Sequence, residues 1–317
     1  MKATKIMMLA AATLVLAACS SEEDVIDNST PVAIQINASI ARQGETRTTP
    51  NYATGETNWE AGDSIGIYVC DSNGRVYVFD KKYVTTEGDG TFTYGGTEGE
   101  MYDFPVSTQY CQVIAYYPFD RTEYDWKYDW SQYTTAVDTK VQTQKLDFLN
   151  AKIEPLKTTK TINFTFRHTM SQLVLKIKTD AFAGFAATDV TKGAYFLSGL
   201  KHKGERDKAR NYAQNMGSVE NDWEFSSADA NTPVEDGTDN VRTYRMILFP
   251  QDCSTNVITF KATIDGIDYT CTLNPNMKSG NSYTYTINIK KTGIEVSNCT
   301  IAGWTQNVDE TVHDATM

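Results

Sequence analysis

Alternation with a period of two dominates this chain. Ile162, Phe164 and Phe166 alternate with Thr161, Asn163 and Thr165, and Leu173, Leu175 and Ile177 are interleaved with Lys176 and Lys178. The same pattern runs through Ile258, Phe260, Ala262 and Ile264, and again through Tyr283, Tyr285, Ile287 and Ile289. Successive side chains of a strand point to opposite faces, so each run sets one face in a core and the other in water, as half-buried antiparallel strands do. Turn signals fall between the runs: Asp71-Ser72-Asn73-Gly74, Glu87-Gly88-Asp89-Gly90 and Asp265-Gly266. No long stretch carries an apolar stripe of helical period. Glu205 to Met216 is mostly polar and reads as a surface insertion, and residues 226–240 read as a long exposed loop. The expected fold class is all-β.

With 317 residues the chain is long for one domain, and the pattern offers a place to divide it. Alternation is interrupted between Asn150 and Thr159, where Pro155 holds its predecessor in extended backbone. This predicts an N-terminal β-sandwich over residues 31–155 and a C-terminal β-sandwich over residues 156–317.

The first thirty residues follow another logic. Lys2 and Lys5 precede an apolar run from Ile6 to Ala18, which has the layout of a secretory signal and is too short to span a bilayer. The run closes on Leu16-Ala17-Ala18-Cys19, which resembles the lipobox of bacterial lipoproteins. That resemblance implies a signal peptide over residues 1–18, acylation of Cys19, and attachment to the outer membrane by lipid, where two or more chains hold stably. Residues 19–30 form an acidic tether; Ser20-Ser21-Glu22-Glu23-Asp24 resembles a surface-export signal and equally suits a solvated spacer.

Charge and composition exclude several partners. The net charge is −11, and removal of Lys2 and Lys5 with the signal takes it to −13, so no basic face is available to bind nucleic acid. Apart from Cys19 the cysteines are Cys70, Cys111, Cys253, Cys271 and Cys299, an odd number at wide spacings, which indicates neither a disulfide framework nor a zinc site. His168, His202 and His313 lie far apart. No nucleophile elbow, metalloprotease helix, phosphate loop or dinucleotide fingerprint is present, and no carboxylate pair can be singled out, so neither an enzyme nor a cofactor is expected.

One stretch is unusually aromatic. Tyr116, Tyr117, Phe119, Tyr124, Trp126, Tyr128, Trp130 and Tyr133 lie within eighteen residues, and Tyr124, Trp126, Tyr128 and Trp130 share one strand face. Such a strip stacks on sugar rings, forms a subunit contact, or packs on its own domain.

Several segments together resemble the fimbrillin family, the subunits of type V pili. They are Trp59-Glu60-Ala61-Gly62-Asp63-Ser64-Ile65-Gly66-Ile67-Tyr68, Ala115-Tyr116-Tyr117-Pro118, Phe166-Arg167-His168-Thr169-Met170-Ser171-Gln172-Leu173, Leu248-Phe249-Pro250-Gln251, the stretch Gly280 to Lys290, and Thr300-Ile301-Ala302-Gly303-Trp304. The resemblance implies two tandem transthyretin-like β-sandwiches behind a lipoprotein signal. It also implies export, a cut after an arginine in the loop that follows the first strand, and polymerisation when another subunit's strand fills the vacated groove.

Here Val32, Ile34, Ile36, Ala38 and Ile40 would be the core face of the displaced strand. Arg47 is the expected processing site and Arg42 the alternate, both in a polar loop of the kind proteases nick. A donor strand would come from Ile294 to Ile301, unless that stretch belongs to its own domain's sheet, since Thr305 to Met317 alternates poorly. The partners implied are other pilus subunits, the membrane, and a host or bacterial surface ligand, with the chain placed on the cell surface as a stalk, tip, accessory or anchor component. The competing reading is a monomeric surface lipoprotein that binds glycan through the aromatic strip.

Overall fold

The computed structural model describes residues 33–41, 59–71, 76–97, 111–120, 134–156, 161–179, 184–207, 212–215, 217–227, 234–236 and 241–304. Among them regular structure is almost entirely strand, with 3-10 turns at Gln144–Leu146 and Ala187–Lys192. The first nine strands are β1 (Gln35–Ile40), β2 (Ser64–Asp71), β3 (Val76–Val84), β4 (Thr91–Tyr94), β5 (Cys111–Tyr117), β6 (Thr134–Asp138), β7 (Leu149–Leu156), β8 (Thr161–His168) and β9 (Ser171–Thr179). Those that follow are β10 (Ala194–Ser198), β11 (Lys203–Asp207), β12 (Tyr212–Asn215), β13 (Trp223–Glu224), β14 (Val234–Asp236), β15 (Val241–Leu248) and β16 (Gln251–Asp252). The last are β17 (Ile258–Ile264), β18 (Ile267–Leu273), β19 (Asn276–Met277), β20 (Asn281–Lys290), β21 (Gly293–Val296) and β22 (Thr300–Gly303).

The all-β expectation holds, and the alternating runs are buried at every second residue as their pattern demands. In β8, Ile162, Phe164 and Phe166 are buried between exposed Asn163, Thr165 and Arg167; β17 and β20 alternate in the same way. The first body is a ring ordered β1-β4-β3-β2-β5-β7-β8, closed because β1 pairs with β4 on one side and β8 on the other. Its core joins Ile36, Ile40, Trp59, Ile67, Tyr83, Phe92, Val113, Leu149, Phe164 and Phe166. The second body is a sandwich. The sheet β13-β10-β17-β18 faces the sheet β14-β15-β9-β20, and β21 and β22 lie one after the other along the outer edge of β20. Leu173, Leu175, Tyr195, Phe225, Phe260, Ile287 and Ile289 meet between the two layers.

The division expected at residue 155 is corrected by this pairing. Strand β8 packs in the first core and β9 in the second, so the two cores part between His168 and Ser171. Pro155 falls inside β7 and does not end it. The reason is pairing: β8 flanks β1 across from β4 and so closes the ring.

Three further expectations change. Two of the pairings are parallel, β1 with β8 and β9 with β20, because long connections separate those strands in the chain. Within the segment taken as a polar insertion, β11 and β12 form a hairpin that joins β6 in a small sheet, burying Arg206, Asp207 and Ala213. The loop expected over 226–240 contains β14, which pairs with β15.

A third apolar cluster joins the bodies: Leu146, Phe148, Met170, Ala213, Ile247, Phe249 and Trp304. Polar groups complete it. The Gln142 amide donates to Ile247 O at 2.9 Å and accepts from Ile247 N at 2.8 Å, imitating a strand rung at the edge of β15. The His168 ring stacks on Trp304 with centroids 4.3 Å apart, while its Nδ1 meets Asp147 Oδ1 at 2.6 Å. This cover explains why the first half of β9 is buried on both faces, Gln172 and Val174 as well as Leu173 and Leu175.

Candidate functional site: the seat of the first strand

Strand β1 is the feature on which the sequence expectations converge. It pairs in parallel with β8 over six positions, Gln35 with Thr161 through Ile40 with Phe166, but with β4 over only two, Ile36 with Phe92 and Asn37 with Thr91. The side chains of Ile34, Ile36, Ala38 and Ile40 all enter the barrel core, and each is under a tenth exposed. Fully burying one isoleucine is worth about 1.5–3 kcal/mol, so the three together hold the strand with on the order of 5–9 kcal/mol before hydrogen bonds and ordering costs.

The seat is finished by residues of the loop before β2 and of the turn before β4. The Trp59 indole donates to Ala38 O at 2.9 Å and sits edge-on to Phe92, Tyr117 and Phe166, with centroids 5.0–5.4 Å away. Ala38 N donates to Gly90 O at 2.8 Å. Gly90 has φ +87°, and a Cβ there would lie 2.5 Å from Ala38 O, so only glycine lets the turn come this close.

Asp63 pins the loop: it accepts from Glu60 N at 2.8 Å and from the Tyr117 hydroxyl at 2.9 Å. Burial raises the Asp63 pKa despite those bonds, and burial with the neighbouring carboxylate raises that of Tyr117. Sequence reasoning took Gly88-Asp89-Gly90 for a plain hairpin turn and did not connect Trp59 or Gly90 with β1. The available signal was the Trp59-to-Tyr68 segment, which carries part of the family resemblance.

Of the residues expected at functional positions, Ile34, Ile36, Ala38 and Ile40 lie together as described. Val32, Cys19, Arg42 and Arg47 lie outside the described residues, as do Tyr124, Trp126, Tyr128 and Trp130. The two tyrosines that open the aromatic stretch are internal. Tyr117 faces the barrel core and Tyr116 is fully buried on the outer side, its hydroxyl donating to Asp80 Oδ1 at 2.6 Å.

Ile294 to Ile301, weighed as a donor, contributes β21 and β22 to its own sheet, with Ile294 and Val296 packed on the second core. His168 and His202 are buried structural residues, and no group of metal-binding side chains occurs among the described residues. Cys70, Cys253, Cys271 and Cys299 form no disulfides there.

The family model described as fimbrillin-like matches residues 46–304, from just before the expected cut to Trp304 at the junction. The chain belongs to the fimbrillin-like family. It is 27% identical over 315 residues to a candidate fimbrium subunit of Bacteroides uniformis called Fim1C, covering 96% of both chains. The fold is that of two solved structures. One is a candidate cell adhesion protein of Bacteroides uniformis, with TM-score 0.65, 23% identity and coverage of 88% of this chain and 99% of the other. The second, from Bacteroides ovatus and described in the same terms, has TM-score 0.65, 19% identity and coverage of 87% and 98%. The family is one of structural proteins of fimbriae.

Proposed function

We propose that this fimbrillin-like chain is a subunit of a type V pilus, as stalk, tip, accessory or anchor, displayed on the cell surface and serving adhesion. In this reading Cys19 carries the lipid during export, Arg47 is the activation site with Arg42 as the alternate, and β1 leaves so that a strand of another subunit takes its seat. The observation that carries the proposal is the way β1 is held. A strand with three isoleucines in the core, six positions of pairing on one side and two on the other leaves behind, when removed, an apolar groove flanked by unpaired backbone groups. Such an edge is a template for strand addition. Because β21 and β22 are engaged within their own sheet, a donor drawn from the C-terminal region must either peel away from β20 or come from residues after Trp304. An anchor would keep its lipid and its first strand.

The test is to treat the purified lipid-free chain with trypsin and follow it by N-terminal sequencing and denaturing gels. A new N-terminus at Thr48 accompanied by detergent-resistant ladders is the expected outcome, and Arg47→Ala abolishes both. Ladders formed equally by Arg47→Ala, but lost in Arg42→Ala, reassign the cut; a cut chain that stays monomeric refutes the assembly role.

A further inference from the structure

The inward side chains of β1 are not alike. Ile34, Ile36 and Ile40 are large, and the third in order is Ala38. The neighbours of that position account for the small residue. On one side of the strand Ile36 stands opposite Phe92 of β4, and on the other Ile40 stands opposite Phe166 of β8. The Trp59 indole meets both phenylalanines edge-on, with centroids 5.0 and 5.4 Å away, and its nitrogen donates to Ala38 O at 2.9 Å. Ala38 lies between the two flanked positions. The indole therefore crosses the strand at Ala38 and fills the space that a larger side chain there would need.

The indole is held where it stands. Tyr117 meets it from the barrel core, again edge-on, at 5.4 Å. The turn before β4 closes behind it: a Cβ at Gly90 would lie 3.6 Å from Trp59 Cδ1, and one at Gly88 would lie 2.6 Å from Trp59 O. Ala38 N donates to Gly90 O, so the residue across from Ala38 on this side carries no side chain either. Protein interiors are packed at the density of organic crystals, and a large side chain forced into such a place displaces its neighbours. One small subsite among large ones also sets register. A slip of one residue turns the apolar face of a strand outward, whereas a slip of two keeps the face. In β1 a slip of two brings Ile36 or Ile40 onto the indole. Two bonds on the outer side hold the same alignment: the Asn37 amide donates to Asn163 Oδ1 at 2.9 Å, and the Ser39 hydroxyl donates to Phe164 O at 3.2 Å.

We propose that Trp59 makes the seat selective for the strand that fills it. The strand admitted from another subunit lies in the direction of β1 and carries inward residues in the order large, large, small, large, with Gly, Ala or Ser at the place of Ala38. A strand of uniformly large inward residues is refused, and an admitted one is fixed in a single register. Specificity of this kind comes from an obstacle built against the wrong partner, added to the contacts that welcome the right one. The identity of the partner rests on the strand-replacement reading above. Selection by Trp59 is a property of the seat itself and holds for β1 in the uncut chain as well.

The experiment has two arms. In the first, the trypsin-treated lipid-free chain is titrated with fluorescent synthetic peptides of residues 32–41, and binding is read by anisotropy. The parent peptide and its Ile36→Leu version should bind within several-fold of one another. The Ala38→Leu peptide should bind at least about tenfold more weakly, the size of an overpacking penalty. Equal binding of parent and Ala38→Leu peptides overturns the selection. Absence of binding by the parent peptide refutes strand replacement, and the second arm then decides the selection alone. There, urea midpoints of the uncut full chain are compared for Ala38→Val, Trp59→Phe and the two together. Ala38→Val should lower the midpoint in the parent and lower it much less beside the smaller Phe ring. Equal losses in the two backgrounds, or no loss in the parent, overturn the role of Trp59.

Discussion

At the residue scale Tyr116 is closely held outside the strand seat. Its ring covers Gly66 on the neighbouring strand, where an added Cβ would stand 2.1 Å from a ring carbon. On its other side, the Arg206 guanidinium sits 5.0 Å from the ring centroid and 4.4 Å from that of Phe148, donating to Tyr117 O and Pro118 O at 2.5 and 3.1 Å. One arginine thus ties the barrel to the small sheet that covers the junction. Gly66→Ala should push Tyr116 off its seat and cost about 1–3 kcal/mol, the usual range for overpacking, read as a lower urea midpoint with unchanged slope. Neither partner was legible in advance. Tyr116 belongs to an aromatic run that suits a binding strip as well as a core, and Arg206 lies in a polar segment some ninety residues away, so only the fold brings them together.

At the scale of the element, β1 shows what alternation can and cannot say. The positions Ile34, Ile36, Ala38 and Ile40 were readable as one buried face because a strand's period is two, and all four are buried. Its partners were not readable, since pairing β1 in parallel with β8 across more than a hundred residues leaves no mark on either segment. The same is true of β9 with β20, and of the assignment of β8 to the barrel: an alternating run reveals a face without revealing which core that face joins. Ile36 is fully buried opposite Phe92 and Ile162. Ile36→Ala should lower stability by about 2–5 kcal/mol, the range for truncating a core isoleucine. Faster amide exchange confined to β1 and the paired stretch of β8 would locate the loss in the strand's seat, whereas uniform exchange across both bodies would contradict local opening.

At the scale of the whole molecule, the two bodies are joined by a packed interface that carries buried polar groups. His202 is one of these, its Nδ1 2.9 Å from Thr139 Oγ1 and its ring edge-on to Trp223 at 4.7 Å. Burial, with the nearby charge of Lys140, lowers its pKa from 6.5 to about 4. The folded chain therefore holds this histidine neutral, and the unfolded chain binds the proton first. The associated stability is fully present above the unfolded value of 6.5 and is lost progressively as pH falls to about 4, amounting to about 3 kcal/mol. His202→Asn should flatten the fall in melting temperature between pH 6.5 and 4 relative to the parent; an identical slope in both would remove His202 as its source. The one covalent link between β1 and the rest of the described barrel runs through residues 41–59, and every other barrel strand is wired at both ends. A single hydrolysis in that link changes the order of the binding reaction. While tethered, β1 competes for its seat at the millimolar effective concentration of an intramolecular segment; once severed, it competes only at the bulk concentration of a free peptide. Under the proposed processing, departure would then become a matter of dilution, and a cut there would work as a ratchet that needs no weakening of a single contact in the seat.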